Sequence, residues 1–179
     1  MDEPTIRRLE LPADRDFVLT LHGQINYHSD SDWFRGPDEK RYVNRWLETP
    51  QVTSFLQQLE LSSGDPRALL EVWELGGQPV AYLWVAFTEA DGYDLCTAEI
   101  QDVGIVDTHR RQGMGRRMLQ YIEIEARSRG ANILRASAGV GNRAAHALFE
   151  GGGLERLAVD YEKLLDDDTS SRDHQASAP

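Results

Sequence analysis

The residues with the clearest chemical content lie between Val103 and Leu119, in the stretch VGIVDTHRRQGMGRRML. From Thr108 to Leu119 there are four arginines, Arg110, Arg111, Arg116 and Arg117, and no carboxylate. Gly113 and Gly115 stand between the two arginine pairs. A strand ending in a glycine-containing loop that opens a helix is suited to binding an anion. The first N–H groups of a helix have no partner within it, and with the helix dipole they form a site for phosphate oxygens. Glycine lets the anion reach backbone that a Cβ would shield. Arginine adds charge and forked hydrogen bonding. On charge alone the cluster reads as readily as a solvated outer helix face, the usual fate of a charge run.

Three phosphate-binding readings compete. A dinucleotide fingerprint needs Gly-x-Gly-x-x-Gly, but Met118 stands where the third glycine belongs, and no parallel βαβ pattern precedes it. A Walker loop needs Gly-Lys-Ser/Thr, which is absent. The third reading is a pyrophosphate site for coenzyme A. Arg110-Arg111-Gln112-Gly113-Met114-Gly115 resembles the Arg/Gln-x-x-Gly-x-Gly/Ala signature of the GNAT superfamily of N-acetyltransferases. Asn142-x-x-Ala145-x-x-Leu148-Phe149-x-x-x-Gly153-Leu154 is similar to a second signature of that family. The two follow in order with one strand between them, and the resemblance is sharp over about Glu99–Leu165.

The resemblance implies an acetyl-CoA-dependent N-acyltransferase with residues in stated roles. Arg110 would add charge at the turn, and backbone N–H groups of Arg111, Gln112, Gly113, Met114, Gly115 and Arg116 would hold the pyrophosphate. Gly104 and Ile105 would hydrogen-bond the pantetheine arm by main chain. Asn142 would contact the cofactor by its amide, although its residue type equally suits a helix N-cap. The strand before the cradle would splay from its neighbour and admit the cofactor between them. Ala145 and Leu148 read more simply as core residues.

The implied reaction is direct attack of a neutral amine on the thioester. Alkylamines are mostly protonated at neutral pH, so a base is needed. Glu99 is the favoured base. It lies fourteen positions before Gly113, a place where some family members carry a catalytic glutamate, and apolar neighbours such as Ile100 favour a raised pKa. Asp102 is the second candidate. Simple alternation puts the two on opposite faces, but the family often has a bulge on this strand, so parity does not decide. Either could equally be an ordinary solvent-facing residue. Phe149, which the resemblance places among the cofactor-binding residues, departs from the family, where tyrosine often serves as general acid. Tyr161 and His146 are the candidate substitutes, each also readable as structural. The departure keeps open a second reading, an acyl-CoA-binding sensor or interaction module with little turnover. His28, Trp33 and Phe34 fall in the region where the family builds its acceptor pocket, or simply anchor an irregular loop.

These groups must be held by elements that the pattern predicts in the order β, α, α, β, β, β, α, β, α, β. Thr5–Glu10 reads as a strand, and a helix opens at Pro12-Ala13-Asp14. Tyr27–Gly36 reads as a loop and Pro37–Leu61 as helical, broken near Pro50. Ala68–Leu75 and Pro79–Thr88 read as strands joined by a Gly76-Gly77 hairpin. A strand from Cys96 to about Val106 feeds the cradle. The helix that follows buries Met118, Leu119, Ile122 and Ala126 and stops at Gly130. Ile133–Ala138 is a strand, Asn142–Glu150 a helix, and Leu157–Leu165 a last strand. This is an α/β (α+β) domain. The resemblance implies a mixed, mostly antiparallel sheet of six to seven strands with helices on both faces. The resemblance implies one N-acetyltransferase-like domain over residues 1–165, and Asp166–Pro179, almost without apolar side chains, is expected to be a disordered acidic tail.

Composition bounds the partners. The 179 residues suffice for one domain. A net charge of −11 disfavours nucleic acid and anionic membranes and suits a cationic amine acceptor, small molecule or protein. The single cysteine, Cys96, cannot form an internal disulfide, and no cluster suggests a metal. The acidic start lacks the pattern of a secretory signal, so the cytoplasm is the expected location. The resemblance also admits a homodimer.

Overall fold

The computed structural model describes residues 3–90 and 92–163. Its central hairpin follows from two apolar runs and one tight turn. Strands β2 (Ala68–Leu75) and β3 (Gln78–Glu89) pair antiparallel across Gly76 and Gly77, both at positive φ. β3 is buried along most of its length, so it lies mid-sheet and carries apolar residues on both faces. β1 (Thr5–Arg8) pairs with β2, and β4 (Cys96–Ile105) pairs antiparallel with β3. β5 (Ile133–Ala136) pairs parallel with β4. The sheet has five strands in the order β1-β2-β3-β4-β5.

Helices cover both faces. On one face α1 (Arg15–Ser29), α3 (Glu39–Leu47) and α4 (Gln51–Ser63) bury Val18, Leu19, Trp46, Phe55 and Leu59 against Tyr82 and Trp84. On the other, α5 (Met114–Ser128) buries Met118, Leu119, Ile122 and Ala126 against Leu83, Val85 and Ile100, and α6 (Arg143–Gly151) packs Leu148 and Phe149 beside them. Pro50 caps α4 and separates it from α3, as its missing N–H requires. Among the described residues no helix is long and apolar enough to cross a membrane.

The structure corrects three expectations. The region 27–36 is not a loop: α1 runs on through Ser29, and α2 (Asp32–Arg35) forms one further turn carrying Trp33 and Phe34. β5 ends at Ala136 rather than Ala138. The last strand, expected over Leu157–Leu165, is not seen among the described residues: 154–163 have no regular structure, and Leu157, Val159 and Tyr161 are 82%, 65% and 92% exposed. Their alternation mimics a strand, but β5 is only four residues long and offers little ladder to a neighbour. The described sheet therefore has fewer than the six to seven strands expected. The tail 166–179 lies outside the described residues.

One buried ionic cluster ties β1 to the start of α1. Arg7 forks onto both oxygens of Asp14 at 2.7 Å and reaches Glu74 at 2.7 Å, while the Glu10 N–H donates to Asp14 at 2.8 Å. Burial pushes Asp14 up, but these donors together hold its carboxyl below the usual carboxylate range. Its stabilisation is therefore present above the unfolded-state pKa and is lost as pH falls through the lower folded value. Arg7→Met is expected to cost about 1.5–3 kcal/mol at pH 7 and clearly less near pH 3, as read by urea unfolding at the two pH values.

Candidate active site: an open strand edge beside a helix start

The sequence from Val106 to Met114 makes a tight, pinned turn. A 3₁₀ turn at Asp107–His109 is followed by Arg111 at φ 58° and Gly113 at φ 85°. Gly113 is the N-cap of α5 and has no side chain to cap with. The first turn's backbone bond runs from the Arg117 N–H to the Gly113 carbonyl. The N–H groups of Met114, Gly115 and Arg116 thus have no carbonyl within the helix. There is no acidic residue in that turn. Instead Arg116 and Arg117 crowd the positive end of the dipole, an arrangement that an anion relieves. Arg111 holds a left-handed conformation that costs an L-residue roughly 1–2 kcal/mol.

The predicted cradle residues divide by role. Arg111, Gln112, Gly113 and Arg116 are exposed. Among the described residues Arg111 and Arg116 show no side-chain hydrogen bond or ion pair, so both guanidinium groups are available. Arg110 is engaged within the protein: Nε donates to the Ile105 carbonyl at 2.8 Å, one terminal nitrogen to Gln24 at 3.0 Å, and the other pairs with Asp107 at 2.7 Å. It pins the turn to β4 and α1. Gln112 donates to the Thr108 carbonyl at 2.7 Å and braces the turn. The Met114 side chain is core, leaving only its backbone to the site. Gly115 lies where a Cβ would touch Leu148 and Ile105, so it also serves close packing of α5 on α6.

β4 supplies the second half of the site. Its pairing with β5 runs from Thr97 to Ile100 and stops there, so residues 101–105 have no β5 partner. At the same point Trp84 faces Asp102 and Val85 faces Ile100, which leaves Gln101 as a bulge. Gly104 and Ile105 lie on this open stretch. Gly104 is buried where a Cβ would fall 2.6 Å from the Tyr82 ring and 2.9 Å from Leu21, so glycine lets α1 approach the strand.

The bulge resolves the parity of the two carboxylates. Ala98 and Ile100 join the α5-side core, whereas Glu99 lies opposite Ala86 and Asp102 opposite Trp84. Both carboxylates therefore share the α1 face. Glu99 is partly exposed and makes no hydrogen bond or ion pair among the described residues. Asp102 is different. Its side chain is 2% exposed, the Tyr82 hydroxyl donates to Oδ2, and His22 Nδ1 lies 2.6 Å from the same oxygen. Burial and then the Asp102 charge push the Tyr82 hydroxyl far above its ordinary pKa, so it remains a donor. His22 stacks on Phe55 with ring centroids 3.8 Å apart and tilts against Trp46 at 5.2 Å. No sequence signal pointed to His22, which carries no motif and lies 80 positions from its partner.

Other expected site residues fall outside this group or serve the fold. Asn142 caps α6, accepting the Ala145 N–H at 3.1 Å, which leaves its amide nitrogen free. Phe149 is a partly buried core ring. His146 donates from Nε2 to the Gly139 carbonyl at 3.0 Å and fixes the loop before α6. Tyr161, expected on a strand, is exposed in the irregular segment after α6. Trp33 and Phe34 are about half exposed. Cys96 is a partly buried residue at the start of β4.

Comparison with known proteins agrees with this geometry. The family model described as the acetyltransferase (GNAT) family matches residues 24–152. Among solved structures, the chain resembles a transcriptional regulator from Bacillus halodurans C-125 at 20% identity and TM-score 0.65, covering 91% of this chain and 100% of that one. It resembles an aminoglycoside 6′-N-acetyltransferase from Acinetobacter haemolyticus at 18% identity and TM-score 0.61, covering 90% and 99%. It resembles a glucosamine-6-phosphate N-acetyltransferase from Arabidopsis thaliana at 18% identity and TM-score 0.56, covering 92% and 100%. At such identities these likenesses carry the fold alone. No curated protein matches the chain by sequence. With a family match over most of its length and the open-edged strand, glycine turn and helix start in place, the chain belongs to the GNAT family of acetyltransferases.

Proposed function

We propose that the protein transfers an acetyl group from acetyl-CoA to a primary amine. The observation that carries this reading is the pairing of two open backbone surfaces: the unpartnered N–H groups at the start of α5 and the unpartnered edge of β4 beyond Ile100. The residues fit the cofactor. Met114, Gly115 and Arg116 would hold its pyrophosphate by N–H, with Arg111 and Arg116 adding charge. The free edge around Gly104 would take an extended, amide-bearing arm as a sheet edge takes a strand. The Asn142 amide nitrogen would serve as a further donor. Acetyl-CoA supplies an activated acetyl thioester.

The α1 face of β4 supports a cationic acceptor. Glu99 and Asp102 both lie there, and the chain carries a net charge of −11. Glu99, unpaired and partly exposed, can draw in an ammonium group; Asp102 is already engaged. Of the acceptors named for the two enzymes it resembles, an aminoglycoside polycation suits this charge better than a sugar phosphate. A second reading, an acyl-CoA-binding module with little turnover, draws on Phe149, which cannot protonate a leaving thiolate. Thiol release with a panel of amines separates the two: amine-dependent release supports the enzyme, and tight binding without it supports the module.

Acetyl-CoA at about 100 times its Kd is expected to raise the melting temperature by roughly 5–10 °C. An unchanged melting temperature contradicts both readings. Arg111→Gly is expected to leave the ligand-free protein at least as stable, because release of the left-handed penalty offsets glycine's extra entropy of roughly 0.5–1 kcal/mol. The same change should weaken acetyl-CoA binding by about tenfold or more, through loss of a charge-assisted hydrogen bond. Calorimetric unfolding and ligand titration measure the two effects separately.

A further inference from the structure

We infer that His22 is the proton acceptor for the incoming amine, with Asp102 as its positioning partner; this rests on the acetyltransferase reading. Asp102 Oδ2 accepts the Tyr82 hydroxyl and lies 2.6 Å from His22 Nδ1. An ionised carboxylate only accepts. In the neutral ring, Nδ1 donating to that carboxylate puts the proton on Nδ1 and the lone pair on Nε2. The carboxylate fixes the tautomer in which the imidazole can act as a base, and Phe55 and Trp46 fix the plane of the ring.

Three successive contacts lay α1 along the open stretch of β4. Leu21 abuts Gly104, His22 meets Asp102, and Gln24 receives Arg110 of the cradle turn. Asp102 is the second residue beyond the last β5 pairing. The dyad thus lies beside the gap where an acyl group bound along that edge has to end. The His22 side chain is 21% exposed, whereas that of Asp102 is closed off at 2%. A buried carboxylate with two donors already in place is a poor direct base, but it stabilises the imidazolium that proton transfer creates.

The step balances simply. One N–H proton of the ammonium passes to Nε2, giving a neutral amine with a free electron pair and an imidazolium paired to the Asp102 carboxylate. His22 later returns that proton to water. Glu99, on the same face and unpaired, holds the ammonium by charge instead of taking its proton. The groups against His22 are Asp102 of β4, Trp46 of α3 and Phe55 of α4, with Tyr82 of β3 on the same Asp102 oxygen.

The test joins spectroscopy and kinetics on the full chain. Nitrogen-15 NMR of the wild-type imidazole, assigned by its loss in His22→Gln, should show a protonated Nδ1 and a bare Nε2 at high pH. Asp102→Asn should remove that tautomer preference. With acetyl-CoA and spermidine, kanamycin or a lysine peptide as acceptor, His22→Gln should lower kcat by about 10²–10⁴-fold and abolish the acidic limb of its pH profile. Glu99→Gln should instead raise KM for the amine. The inference is overturned if Nε2 carries the proton in the neutral ring, or if His22→Gln keeps both kcat and the acidic limb while the wild type turns over. A wild type inactive on every amine overturns the acetyltransferase reading itself and this inference with it.

Discussion

β4 is paired on both sides along its first half and on one side only along its second. The change falls within two residues, where the β5 ladder ends at Ile100 and the bulge at Gln101 follows. A sheet strand with unpaired backbone next to an interior core is costly unless something meets its hydrogen bonds. The architecture keeps that cost in place. Arg110 ties the end of the strand to the turn and to α1, Gly104 admits α1 at close range, and α5 begins with unpaired N–H groups where the turn ends. The site thus rests on two stretches of open main chain, the β4 edge and the start of α5, joined by a turn whose own groups are largely bonded.

The bulge also decides which side chains can cooperate. Without it Glu99 and Asp102 would face opposite sides of the sheet. With it both face α1, one engaged in a buried network and one free. The two carboxylates are therefore unequal despite their closeness in sequence. Asp102 is bound to Tyr82 and His22, and Glu99 is available to an incoming charge. On the proposed function, the acidic balance of the whole chain would suit a cationic acceptor and the basic cluster at the cradle an anionic cofactor.

Much of this was legible where the signal is local. The glycine turn, the α5 core face, the Gly76-Gly77 hairpin and the break at Pro50 each follow from a few neighbouring residues whose backbone preferences agree. The Asn142 cap was legible as one of two roles. What was not legible depends on distant contacts. His22 acquires meaning only when Asp102 arrives beside it, and a bulge leaves no mark in the residue types around Gln101. Arg110 read as a cofactor contact because its charge was visible and its three protein partners were not. The segment from Leu157 to Tyr161 misled for the opposite reason. Its alternation is local and strand-like, but no described strand pairs with it.

The central claim is that acetyl-CoA is gripped by main-chain groups at the start of α5 and along the free edge of β4. Amide hydrogen exchange of the full chain, with and without acetyl-CoA, tests it residue by residue. The account predicts strong new protection at Met114, Gly115 and Arg116 and at those residues of 101–105 whose N–H groups point away from β3, with little change on β1 or β2. Binding that leaves those amides exchanging as before, and protects another part of the surface instead, contradicts it.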